Sequence, residues 1–279
     1  MKSLYPLTFR ENRLGKIWGE ERWEISAHAA APSIVENGAF AGRSLSDLAA
    51  ELGRDLLGSK APSAATFPLL FKVISTNDRL SVQVHPSEAT RSVAGGEPKT
   101  EMWRVLGGAG HIFAGLRPGV TRSMVADGAR DGSLADSIVR IDARPGDSFF
   151  IPGGLIHALG ANLLIYEVQQ SSDTTYRLYD WGRLDASGRP RQLHLDAALD
   201  SIDFSLPPPR EQDSIDCPFF RFRAVEADGT ICIPAREDSF TALYLVEQRR
   251  SVLVPANCSA EIPASGAVLE TTLGDGPWS

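Results

Sequence analysis

Between residues 69 and 179 the chain is cut every few residues by Gly, Pro, Asp or Asn into short runs rich in β-branched and aromatic side chains: LLFKVIS, RLSVQVH, EMWRVL, HIFAGL, DSFFIP, LLIYEVQQ and TYRLYD. Such runs bounded by turn formers read as strands, and many short strands joined by turns close as a sandwich or a barrel. Helix is the minority. In SLSDLAAELGRDLLG, Leu45, Leu48, Ala49, Leu52, Leu56 and Leu57 recur at three- and four-residue steps after the capping-type Ser44 and Asp47, which predicts one amphipathic helix. A second helical region is predicted within TRSMVADGARDGSLADSIVRI, interrupted by Gly128 and Gly132, and a third in LHLDAALDSI.

The chain of 279 residues, 43% apolar, is long enough for one large domain or two moderate ones. The charged, proline-rich SLPPPREQDSID marks the boundary: a first domain over 1–205, with helical segments at about 44–58 and 119–141, a linker at 206–218 and a second β-rich domain over 219–279. The first twenty residues mix charges throughout, and no run approaches the ~18 apolar residues of a membrane span, so a soluble, cytoplasmic protein is expected. Cys217, Cys232 and Cys258 are widely spaced and form no CxxC pair, which argues against a disulfide framework or a cysteine zinc site and predicts reduced packing residues. A net charge of −7 without any long Lys/Arg run argues against nucleic acid and anionic lipid as partners. It leaves an anionic small molecule, which one or two local cations can hold.

The chemistry concentrates in two stretches. In LSVQVHPSEAT, alternation puts Gln83 and His85 on one face of a strand and Val82 and Val84 on the other. Two readings stand at this point: an exposed polar face, or a barrel interior in which a divalent metal satisfies both groups. In DARPGDSFFIPGGLIHAL, Gly146, Pro152, Gly154 and His157 follow the spacing G-x5-P-x-G-x2-H, with a turn at Pro145–Asp147, a strand over Ser148–Ile151, a second turn and His157 opening the next strand. That layout resembles the second motif of the cupins, whose histidine enters the barrel as a metal ligand and whose first motif supplies the other ligands.

QVHP, then KTE, then IPGGLIHAL and YEVQQSSDTTYRLYDWGR resemble, in order and over most of residues 1–202, the type I mannose-6-phosphate isomerases of the cupin superfamily. The insertion PSEATRSVAGGEPKT places Glu101 later than general cupin spacing but agrees with this branch. The resemblance implies a mainly β protein with minor α: a jelly-roll-like cupin barrel, a small helical segment and a second, degenerate cupin-like β-domain. That second domain is expected to be metal-free, because no histidine follows His194. It further implies one zinc ion per chain held by Gln83, His85, Glu101 and His157, and an interconversion of D-mannose 6-phosphate and D-fructose 6-phosphate through an enediol(ate). Two imidazoles, one carboxylate and a neutral amide oxygen suit such an ion.

Catalytic roles carry over to Lys99, Asp173 and Arg177. Lys99 stands two residues before Glu101 and shares its side if the strand has begun. Arg177 lies on a strand whose Tyr176 and Leu178 face the other way, and an arginine aimed into a barrel calls for an anion. From the residues alone, Lys99 also reads as a solvated loop lysine, and Arg177 with Asp173 as an ion pair closing a turn. Arg177, Lys99 and Arg183 are the candidates for the sugar phosphate. The resemblance allows a monomer. Trp18 and Trp23 are expected to pack in the core, and His28, His111 and His194 are left outside the site. The competing functions are a metal-dependent cupin dioxygenase and a non-catalytic sugar-binding cupin.

Overall fold

The structure is a computed structural model, described for residues 4–185 and 187–276. Its strands in chain order are β1 (Arg13–Lys16), β2 (Gly19–Ile25), β3 (Leu69–Thr76), β4 (Val82–Val84), β5 (Glu101–Gly108), β6 (Gly110–Leu116), β7 (Ile138–Ala143), β8 (Ser148–Ile151), β9 (His157–Leu159), β10 (Leu163–Gln170), β11 (Tyr176–Tyr179), β12 (Ser214–Asp216), β13 (Phe220–Ile233), β14 (Thr241–Leu245), β15 (Arg250–Val254) and β16 (Ala260–Leu273). The helices are α1 (Leu45–Leu52), α2 (Arg54–Leu57), α3 (Arg91–Ala94), α4 (Arg122–Asp131) and α5 (Leu195–Ser201). Strands dominate, as the sequence predicts, and no helix among the described residues is long and apolar enough to cross a membrane. Two compact units result: Met1–Arg13, Arg22–Lys72 and Asp213–Ser279 form one, Leu14–Glu21 and Val73–Gln212 the other.

Two sheets, ordered β1-β2-β3-β10-β5-β8 and β11-β4-β9-β6-β7, make up a cupin barrel; β4 to β11 lie wholly in the second unit, while β1, β2 and β3 are each divided between the two. Alternation along the strands sorts side chains between two cores. Trp103, Val105, Phe149, Ile151, Leu163 and Ile165 from one sheet meet Ile112, Ala114 and Leu159 from the other inside the barrel. The intervening residues Val82, Val84, Phe113, Ala158 and Leu178 face outward, where Val125, Ala126 and Ala129 of α4 and Ala198 and Leu199 of α5 cover them. Gln83, His85 and His157 are thereby left on the inner face, which decides between the two readings of the QVH stretch. Helix α4 passes through Gly128 instead of breaking there: a Cβ at that position would lie 3.0 Å from Leu134 Cα, so glycine permits the close return of the chain.

In the first unit the sheet order is β12-β13-β16-β14-β15, with β13 and β16 paired from Phe220↔Leu273 to Ile233↔Ala260. Its core includes Ile233, Leu243, Val252, Val254, Ile262 and Val268. The helical segment 44–58 belongs to this unit, whereas α4 belongs to the other. Ser44 Oγ caps α1 by accepting from Asp47 N at 3.1 Å, but the single helix read from the leucine spacing is divided at Gly53, whose φ of 56° and ψ of −128° leave helical space. Trp18 and Trp23 are buried, in different units. The cysteines differ from expectation in part: Cys217 is buried and Cys258 half-buried, while Cys232 is exposed, one residue before the inward-facing Ile233.

Candidate metal centre

Three chain segments bring the candidate ligands together inside the barrel. Gln83 of β4 stands opposite His157 of β9, and Glu101 opens β5 between Gln169 of β10 and Ile151 of β8. His85 follows β4 by one residue. His85, Glu101 and His157 are each 1% exposed, and the metal-ligating atoms they offer all lie within 4.8 Å of one another.

The donor geometry fits a small divalent cation. His85 Nδ1 lies 2.8 Å from Thr174 O and His157 Nδ1 lies 2.8 Å from Leu155 O. A carbonyl only accepts, so each ring carries its proton on Nδ1 and turns the lone pair of Nε2 inward. Those Nε2 atoms lie 3.5 Å from Glu101 Oε2 and 3.5 Å from Glu101 Oε1, respectively. Gln83 Nε2 lies 3.4 Å from His157 Nε2, and a half-turn of that amide puts its oxygen in the same place. Ligand bonds of about 2.1 Å give a tetrahedral edge of about 3.4 Å, close to these separations.

The His157 ring is also in the protonation state that a metal ligand needs. Burial pushes His157 down from 6.5 to about 4, against the Leu155 hydrogen bond, which pulls it up, and with Lys99 adding to the depression. The ring is neutral at pH 7, as a ligand must be. Trp103 stands edge-on to His157, with ring centroids 5.4 Å apart, and fixes its plane. Lys99 precedes β5, yet the residue is 5% exposed and its ammonium sits 2.8 Å from Glu101 Oε2 and 3.2 Å from His85 Nε2, so it is not a solvated loop lysine.

Comparison with known proteins identifies the family. Over 225 residues the chain is 39% identical to the mannose-6-phosphate isomerase of Streptococcus mutans, covering 72% of this chain and 69% of that one. The chain belongs to the type I mannose-6-phosphate isomerase family. The family model of the phosphomannose isomerase type I catalytic domain matches residues 16–102, a span that includes Gln83, His85, Lys99 and Glu101. The crystal structure of the Bacillus subtilis mannose 6-phosphate isomerase superposes with a TM-score of 0.80 at 25% identity, covering 95% of this chain and 99% of that one. A zinc-bound mannose 6-phosphate isomerase at 14% identity shares the fold, with a TM-score of 0.70 over 96% of this chain and 99% of that one.

Within this member of the mannose-6-phosphate isomerase family, the other expected site residues are placed differently from one another. Arg177 pairs in register with Gln83; its Nε donates to Ser81 Oγ at 3.2 Å and its Nη1 to Gln192 O at 2.8 Å. Burial lowers its pKa, with the charges of Arg191 and Arg183 adding to the shift and that of Asp180 opposing it. Asp173 is exposed and, among the described residues, makes no ion pair with Arg177; the turn-closing pair is absent. Arg183 is instead held by Asp180 at 2.6 Å and Asp78 at 3.2 Å, and Arg191 also reaches Asp180 at 2.6 Å. His194 exchanges bonds with the backbone of Arg177, His111 stacks edge-on against Phe113, and His28 against Trp23.

Sequence reasoning missed Ser81 and Gln169. Ser81 is buried, and its hydroxyl lies 3.3 Å from Gln83 Oε1, to which it donates; with the amide turned to aim its oxygen at His157, the same hydroxyl accepts from the amide nitrogen, and either way it links Gln83 to Arg177. It lies two residues before Gln83, so the alternation that singles out Gln83 and His85 also points to it.

Proposed function

We propose that this chain interconverts D-mannose 6-phosphate and D-fructose 6-phosphate, using one zinc ion held by Gln83, His85, Glu101 and His157. The observation that supports this most strongly is the convergence of two imidazole lone pairs, each fixed by a backbone carbonyl on the far nitrogen, on the two oxygens of one buried carboxylate.

Aldose–ketose isomerisation takes a proton from C2 and delivers one to C1 while the carbonyl moves the other way, through an enediol or enediolate. A divalent ion in this place supplies Lewis-acid polarisation of the sugar oxygens and positive charge opposite the developing anion. The protein's own groups do the rest. Lys99 brings an ionisable nitrogen on a flexible stem to the edge of the cluster, where, once it has given up a proton and is a neutral amine, it can take the C2 proton or relay it. Arg177 spends two of its five N–H groups on Ser81 and Gln192 and keeps the others for an anion, either the enediolate or the sugar phosphate. Asp173, exposed beside the turn that carries Thr174, is assigned acid–base opening of the pyranose ring as sugar arrives from solvent. The burial of His85, Glu101 and His157, each 1% exposed, limits the water that can reach an intermediate bound among them.

Elemental analysis of the purified protein, followed by a coupled assay for fructose 6-phosphate, tests the proposal. Stoichiometric zinc with turnover supports it. Iron with oxygen consumption would favour a dioxygenase, and sugar phosphate binding without turnover a non-catalytic cupin.

A further inference from the structure

Gln169 is 0% exposed, lies on the inner barrel face opposite Glu101, and takes no part in the chemistry proposed above. Its side-chain nitrogen donates to two backbone carbonyls, Gln170 O at 2.8 Å and Ser172 O at 2.7 Å. An amide nitrogen has two hydrogens, and both are used. The segment so gathered, residues 171–175, has no helix or strand hydrogen bonding of its own, so side-chain clamps must set its path.

The remaining clamps point the same way. Ser172 N donates to Gln170 O at 2.8 Å, Ser172 Oγ donates to Glu97 O at 3.1 Å, Thr174 N donates to Ser172 Oγ at 3.2 Å, and Glu97 N donates to Thr174 Oγ1 at 3.0 Å. The segment's product is the carbonyl of Thr174, which accepts from His85 Nδ1 at 2.8 Å. That bond decides which nitrogen of His85 faces Glu101. Partners that orient a ligating histidine through its second nitrogen typically change metal affinity 10- to 100-fold when lost.

We propose that Gln169 is a positioning residue of the metal centre: its amide shapes the 171–175 turn so that Thr174 O holds His85 in the Nδ1–H tautomer. The inference rests on the metal reading of the site, but its first readout does not. The amide cannot be replaced by its isostere, because a carboxylate at position 169 has no hydrogens to donate and would set its oxygens against two carbonyls.

The test uses the full chain as purified, with ¹⁵N-labelled histidine. In wild type, His85 and His157 should each give a hydrogen-bonded Nδ1–H signal. In Gln169→Met the His85 signal should be lost or exchange-broadened while that of His157, held by Leu155 O, persists. Zinc affinity, measured by chelator competition, should fall 10- to 100-fold, and Gln169→Glu should fall at least as far. A folded Gln169→Met that keeps the His85 signal and binds zinc within twofold of wild type overturns the proposal. Should that variant not fold, Ser172→Ala, which removes only the hydroxyl joining Thr174 N to Glu97 O, decides: a several-fold weaker affinity and a perturbed His85 signal support the proposal, unchanged values refute it. If wild type binds no zinc at all, the metal reading fails, and the His85 signal alone decides the role of Gln169.

Discussion

The ammonium of Lys99 lies 2.8 Å from Glu101 Oε2 inside the barrel and at the same time 3.2 Å from His85 Nε2, so it occupies two of the lone pairs that a metal ion would take. Metal and ammonium are competitors for these atoms. Removing the amine while keeping the apolar stem, as in Lys99→Met, takes away the competitor and a like charge, so zinc should bind several-fold more tightly than in wild type. Turnover should nevertheless fall by about 10²- to 10⁴-fold, the usual contribution of a proton-transfer group. Chelator competition and steady-state kinetics on one preparation check both. A variant that bound zinc more weakly would mean that Lys99 supports the ligands instead of competing with them.

His85→Ala, Glu101→Ala and His157→Ala should each lose metal and activity together, since each removes one ligand from a small set and leaves too few for stable binding. Gln83→Ala should be milder, because an amide oxygen is a weaker donor than an imidazole nitrogen or a carboxylate, and Gln83 is only half-buried. Zinc content by elemental analysis, set beside the rate for each variant, reads this out. Near-normal zinc in His157→Ala would remove the centre as described.

The barrel and the inward placing of Gln83 and His85 were largely legible because period-two alternation and Gly/Pro punctuation are local signals: Val82 and Val84 on one face require Gln83 and His85 on the other. The division of the leucine-rich helix at Gly53 was less so, since leucine spacing continues across the break and only the backbone angle at one residue ends the helix. Gly128 misled in the opposite direction, because a glycine that permits close packing and one that breaks a helix look alike in sequence. Asp173 and Arg177 are near neighbours in the chain, yet one is exposed and the other is bonded to Ser81 across the sheet. Such separation depends on strand pairing, which no local pattern encodes.

Arg177→Ala should retain zinc and lose kcat, with a rise in KM if the phosphate is its partner. The guanidinium is fixed by Ser81 and Gln192, so Arg177→Lys, a single flexible point charge, should recover only part of the loss. An Arg177→Ala enzyme with unchanged kcat and KM would return Arg177 to a structural role.

Burial pushes the Cys217 thiol up from 9.0 to about 11. In that window the unfolded chain gives up the proton before the folded one does, so this group's contribution to stability is present below pH 9 and is lost as pH rises toward 11. Cys217 should therefore resist thiol reagents at pH 8 while exposed Cys232 reacts at once. Mass spectrometry of the natively alkylated protein distinguishes them; modification of Cys217 as fast as Cys232 contradicts the burial argument.

The final prediction concerns how hydrogen travels between C2 and C1. A direct hydride shift asks for positive charge on both sugar oxygens at once, which a pair of metal ions in a carboxylate-rich site provides. Among the described residues one cluster of His, Asp or Glu ligands is present, and it contains a single carboxylate. An ammonium lies 2.8 Å from that carboxylate, which places a proton carrier beside the cluster. The arrangement favours removal and return of a proton. Conversion of mannose 6-phosphate in D₂O should therefore place solvent deuterium at C1 of fructose 6-phosphate. Incorporation below one atom per turnover is expected, because Lys99 is only 5% exposed and burial slows exchange of a captured proton with solvent. The isotope content at C1 by NMR, measured for wild type and for Lys99→Met, tests the step. Full transfer of a C2 deuterium label to C1, independent of pH and of Lys99, would leave proton transfer without support.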